Sequence, residues 1–156
     1  MARRFPLHLL SNQPRTRLHG QTDGRRCQPR QQDPRDASRS GFTPMMPSSR
    51  NIKDGDVVRV FNDRGSVLAG AIISTAIRRE VVQLAVGATF DPEMPGVPGT
   101  LDKHGNANVL TLDKGTSKLA QAPSAHTTLV EVEKFTGALP SITAFLQPAT
   151  TPERVS

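Results

Sequence analysis

Asp102 to Gln121 reads DKHGNANVLTLDKGTSKLAQ, and the rest of the chain is arranged around it. Gly105, Asn106, Asn108, Gly115, Thr116, Ser117, Lys118 and Gln121 surround only four aliphatic residues, Val109, Leu110, Leu112 and Leu119. So little apolar surface cannot build a core, and the segment is expected outside it. Glycine permits tight turns and close backbone approach, while Asn, Thr, Ser and Gln offer neutral donors and acceptors. That composition suits a loop lying along a polar ligand. From spacing alone, a surface loop with solvated polar side chains is the commoner outcome.

On either side the pattern is β. Upstream, Lys53-Asp54-Gly55-Asp56 reads as a tight turn, Val57 to Phe61 as a β-branched strand, and Asn62-Asp63-Arg64-Gly65 as the turn into Ser66 to Ser74. The small residues Ala69, Gly70 and Ala71 suit a crowded barrel interior. Val81 to Val86 is another strand, after which Pro92, Pro95, Pro98, Gly96 and Gly99 form a loop leading into the central stretch. Downstream, Thr127 to Phe135 is a final strand whose Val130 and Val132 face the core and whose Leu129, Glu131 and Glu133 face outward. Its Glu pair reads as a solvated strand face rather than an acid and base. At the front, Phe5 to Leu10 is a short buried strand that Ser11-Asn12-Gln13-Pro14 stops, and Arg15 to Gln21 follows as a donor-rich loop able to wrap an anion or heterocycle.

The strings NVLTLD and GTSKLAQ, with DGDVVRVFNDRG, TTLVEVEK and PLHLLSNQPRTRLHGQ, resemble the C-terminal cofactor domain of the dimethyl sulfoxide reductase family of molybdoenzymes, which includes trimethylamine N-oxide and biotin sulfoxide reductases. The resemblance spans nearly the whole chain apart from residues 24–50. It implies a mainly β fold, a six-stranded double-psi β-barrel, with an irregular N-terminal segment and C-terminal tail. It implies bis(molybdopterin guanine dinucleotide) molybdenum as cofactor, in an enzyme that removes an oxygen atom from an S-oxide or N-oxide. The barrel's share of that work is binding and orientation, not metal chemistry. Carried over by position, Ser11, Asn12, Arg17, His19, Gln21, Asn108, Lys118 and Gln121 are the cofactor contacts, and the two polar blocks are expected to converge in space. The family's metal-ligating side chain lies in upstream domains, so no residue here is assigned as catalytic or as a metal ligand. Those domains, supplied separately, are the one protein partner the resemblance suggests.

Residues 24–50 depart from the family. Arg, Gln, Pro, Ser and Asp dominate there, which at face value is a disordered basic linker. Back-translated and read two bases later, Arg35 to Ser49 allows GREPIRIHPDDAKQ, and Cys27 to Asp33 read one base later allows VSRASKI, both family-like. Successive single-base frame errors account for both, and the barrel is then expected to lack or weaken one strand. The expected organisation is a first strand and cofactor loop over 1–23, the aberrant linker over 24–50, the barrel core over 51–136 with its cofactor loop at 102–121, and a loosely packed tail over 137–156.

Composition narrows the alternatives. The chain has 156 residues, one domain's worth, with no Trp, no Tyr and six Phe, so aliphatic side chains must build the core. The single cysteine, Cys27, excludes an internal disulfide or a multi-cysteine metal site. No apolar run approaches a membrane span, and Met1 to Leu10 has no signal-peptide pattern, so the chain is expected to be soluble and no compartment is read from it. The formal net charge of +6 is all N-terminal: residues 1–50 carry ten Arg and three Asp. A non-enzymatic barrel module with an Arg-rich nucleic-acid-binding arm is therefore the competing reading. Stacking aromatics are scarce and no groove-binding motif appears, which argues against it.

Overall fold

The computed structural model describes residues 4–12, 50–74, 76–119, 128–144 and 146. Their strands are β1 (Leu7–Asn12), β2 (Val57–Phe61), β3 (Ser66–Gly70), β4 (Val81–Ala85), β5 (Leu101–Asp102) and β6 (Leu129–Lys134), joined in one mixed sheet in the order β4-β1-β6-β2-β3-β5. The fold is mainly β, as expected of the barrel class. Both parallel pairs, β1 with β4 and β3 with β5, are crossover connections, whereas β2 and β3 form an antiparallel hairpin. β6 runs antiparallel between β1 and β2 and so ties the first strand to that hairpin.

Strand periodicity explains the core. Leu7 and Leu9 of β1, Val58 and Val60 of β2, and Val130 and Val132 of β6 are each buried, and the residues alternating with them are not. Val67, Ala69, Ala71, Val82 and Leu84 belong to the same cluster. The small Ala69, Gly70 and Ala71 are all buried, as a crowded interior requires. Each of the larger aliphatics stabilises by about 1.5–3 kcal/mol through burial. Phe5 caps one end, meeting Phe61 edge-on with ring centroids 6.3 Å apart.

Several boundaries differ from expectation. β1 starts two residues later than the expected Phe5, because Pro6 has no N–H to give the ladder, and continues through Ser11 and Asn12 instead of stopping there. Its partner β4 keeps pairing that far, with Asn12 opposite Ala85. β3 ends at Gly70, the residue opposite the first residue of β2. Ala71 is instead held by hydrogen bonds to and from the Lys53–Asp56 turn. β5 was not expected as a strand. Residues 24–49, with Cys27 and the sequences read in shifted frames, lie outside the described residues; six strands form without them, the shortest being the two-residue β5. Glu131 and Glu133 pair with Arg50 and Arg59 at 2.6 and 2.8 Å, which makes them a charged strand face.

Candidate functional site

The central stretch divides at Leu110. Asp102 is fully buried, and its carboxylate accepts three backbone N–H groups: Asp91 at 2.8 Å, His104 at 3.2 Å and Asn106 at 2.8 Å. Residues 91–93 run antiparallel to 101–103, through Glu93 N donating to Leu101 O at 2.8 Å and Lys103 N donating to Asp91 O at 2.9 Å. Gly105 has φ +86°, and a Cβ there would lie 3.2 Å from the Leu68 carbonyl, so this position needs glycine twice over. Asn106 then caps a 3-10 turn, Ala107–Leu110, its side chain accepting from Asn108 N at 3.0 Å. Ala107 and Leu110 enter the core and Asn108 faces out.

The expectation that this segment stays outside the core therefore fails for its first half. Asp102, Lys103, His104, Gly105, Ala107 and Leu110 are all buried. Polar burial costs less where groups have partners, and Asp102 supplies one for the backbone N–H groups of Asp91, His104 and Asn106. Residues 112–119, by contrast, are all exposed.

Beside Asp102 lies a second polar cluster, built on the buried Asp91 and Lys103. Asp91 accepts from Thr143 N at 2.6 Å, Thr143 Oγ1 at 2.6 Å and Ala144 N at 3.1 Å, and pairs with Lys103 Nζ at 3.2 Å. Lys103 Nζ also donates to Thr143 Oγ1 at 2.9 Å. Burial pushes the Asp91 carboxyl upward, but the Thr143 hydrogen bonds and Lys103 outweigh it and hold the group below its ordinary value. The cluster thus fastens residues 143–144 to the ribbon that carries the cofactor segment.

Of the residues expected to contact cofactor, Ser11 and Asn12 end β1, Asn108 stands exposed on the 3-10 turn and Lys118 is exposed beyond it. Ser11 lies on β1 and Asn108 on the 3-10 turn, which packs on β3. Arg17, His19, Gln21 and Gln121 lie outside the described residues, and the expected convergence of the two blocks rests on them. Asp102, Asp91, Lys103 and Thr143 are the residues that sequence reasoning missed. Asp102 had a local signal, an Asp ahead of Gly-Asn where a carboxylate can collect backbone N–H groups. The Asp91–Thr143 contact had none.

A family model, the molydopterin dinucleotide binding domain, matches residues 7–129. The chain belongs to this family. The molybdopterin domain is 49% identical over 152 residues to the trimethylamine-N-oxide reductase of Salmonella typhi, an alignment covering 95% of this chain and 17% of that protein. It is 42% identical over 151 residues to the dimethyl sulfoxide/trimethylamine N-oxide reductase of Cereibacter sphaeroides, covering 93% of this chain and 18% of that one. It thus spans about one-sixth of the relatives it matches. Among solved structures, acetylene hydratase from Pelobacter acetylenicus superposes with a TM-score of 0.55 over 86% of this chain at 18% identity, a likeness of fold. Membership implies a molybdenum molybdopterin guanine dinucleotide as the group bound. Nothing in these likenesses supports the nucleic-acid arm. The donor set fits such a group: Asn108, Thr116, Ser117 and Lys118 are exposed amide, hydroxyl and ammonium groups, suited to heterocycle edges and phosphate oxygens. Among the described residues no helix is long and apolar enough to cross a membrane, and no cluster of three or more His, Cys, Asp or Glu can hold a metal.

Proposed function

We propose that this domain binds and orients one end of a bis(molybdopterin guanine dinucleotide) molybdenum cofactor within an S-oxide or N-oxide reductase, and that the remaining domains of such an enzyme hold the metal and the substrate. The observation that carries this is the Asp102-fastened ribbon, which sets a base under an exposed run of polar donors in a chain of this family. When bound, the cofactor supplies oxygen-atom removal from the substrate and electron passage through molybdenum. The protein's part is local. Asn108 and Lys118 are contacts on the segment after Asp102, and Ser11 and Asn12 are contacts at the end of β1. Arg17, His19, Gln21 and Gln121 complete the proposed set. Residues 1–23 and 51–136 form the binding unit, with 24–50 as linker and 137–156 as tail.

Titration with GDP, which carries the cofactor's guanine and phosphates, tests this reading. Binding that weakens in Asn108→Ala and Lys118→Ala is expected. Absence of binding both to GDP and to intact cofactor released from a trimethylamine N-oxide reductase refutes the proposal. The domain alone is expected to turn over neither dimethyl sulfoxide nor trimethylamine N-oxide in an assay with a reduced viologen dye.

A further inference from the structure

The turn between β2 and β3 reaches well beyond its own hairpin. Asn62 N donates to Gly65 O at 3.0 Å, while Asn62 Oδ1 accepts from Arg64 N at 2.9 Å and Gly65 N at 3.4 Å. Those bonds fix the Asn62 amide in one orientation. Its Nδ2 then donates to two distant carbonyls, Leu110 at 2.8 Å and Leu129 at 3.2 Å. Arg64 Nε donates to the same Leu110 oxygen at 2.8 Å. Gly65 makes the approach possible, since a Cβ there would lie 3.0 Å from the Val109 carbonyl.

Leu110 is the last residue of the 3-10 turn and Leu129 the first of β6. One amide therefore ties the end of the 3-10 turn to the start of β6, and a guanidinium doubles the grip on the turn. We infer that Asn62 and Arg64 are positioning residues for the segment 111–119, which follows the 3-10 turn and is exposed from Leu112 on. The inference rests on the function proposed above. Fixing Leu110, where the segment leaves the turn, lowers the ordering cost of the donors that follow it when ligand binds. Neither residue has to touch the ligand. Their partners are backbone carbonyls, so the effect passes through the placement of Lys118 and its neighbours.

Asn62→Asp separates this role from plain support of the hairpin. Aspartate keeps the oxygen that accepts from Arg64 N and Gly65 N, so the turn survives, but it removes the donor to Leu110 and Leu129. Arg64→Lys keeps the charge and loses the Nε–H, which separates lost positioning from lost electrostatics. Both variants are to be studied in the full chain by hydrogen exchange and by GDP titration. Peptides covering 107–119 and 128–131 are expected to exchange faster while β2 and β3 stay protected. GDP affinity is expected to fall about tenfold, as for the loss of one or two hydrogen bonds. Unchanged exchange in those peptides overturns the inference, as does unchanged affinity in a variant whose wild type binds. If the wild-type chain binds neither GDP nor intact cofactor, the functional reading falls and the inference falls with it.

Discussion

Residues 102–110 and 111–119 share one kind of composition and meet opposite fates. The first run places Asp102, His104 and Leu110 at no more than 1% exposure, whereas Leu119 in the second is 100% exposed. Apolar content does not separate them, since each holds two large aliphatic residues: Val109 and Leu110 in one, Leu112 and Leu119 in the other. The first run carries the buried Asp102 carboxylate, whereas no residue of the second is buried. Asp102 satisfies three N–H groups at once, and a loop whose backbone is satisfied can enter the interior. Burial of a polar segment is decided by partners, and rigidity in the first half is what gives the exposed second half a fixed base.

Removing that carboxylate gives the largest expected effect. Asp102→Ala leaves three donors without an acceptor, two of them buried, at about 1–3 kcal/mol each, so a loss of about 5 kcal/mol is expected in urea unfolding. The two runs then become alike, with residues 103–110 exchanging as fast as 111–119. A stable Asp102→Ala protein with residues 103–110 still protected breaks the comparison.

Asp91 comes next. Its folded-state carboxyl sits below the ordinary value, so its contribution is fully present above the unfolded pKa of about 3.9 and is lost as pH falls through the lower folded value. Asp56, lowered first by the Lys53 backbone N–H and then by Lys134, acts in the same direction. Asp91→Asn removes the charge facing the buried Lys103 and is expected to cost about 2–3 kcal/mol near neutral pH. It also flattens the acid limb of the stability profile below about pH 4. An acid limb as steep as that of the wild type assigns the pH dependence elsewhere.

Gly105→Ala follows, at about 1–2 kcal/mol, for a residue with positive φ and a carbonyl in its way. Its effect is expected on the first run alone, seen as a lower thermal midpoint with unchanged β1–β4 exchange protection.

The β architecture was legible because β-branched alternation is a local property: Val57 to Phe61 was found residue for residue, and Val130 and Val132 point inward as read. Strand ends were less legible because they depend on how long a partner runs, as Asn12 opposite Ala85 shows. The site was legible in outline only. The family strings mark Asn108 and Lys118, but a count of polar side chains cannot show that Asp102 turns inward. Nor does anything near Asp91 announce Thr143 or anything near Asn62 announce Leu129, contacts that exist only once the sheet has brought distant strands together.

The smallest effect on stability is expected from the second run, and it sharpens the comparison most. Lys118 is exposed, and surface changes of this kind stay within about 0.5 kcal/mol. Lys118→Ala is therefore expected to leave the urea midpoint and the exchange of residues 102–110 unchanged. If the segment exists to hold a dinucleotide, the same substitution lowers GDP affinity, because an ammonium group near a phosphate acts through charge and needs no packing. Its salt dependence supplies the check: the difference between wild type and Lys118→Ala shrinks as ionic strength rises from about 0.05 to 0.5 M, since an exposed charge is screened over a few ångströms at the upper end. Asn108→Ala, which removes a neutral amide, lowers affinity by an amount that salt does not alter. Were Lys118→Ala to destabilise the fold as Asp102→Ala does, the two runs would be one structural unit, and the division of the stretch into a fixed base and a presented surface would be wrong.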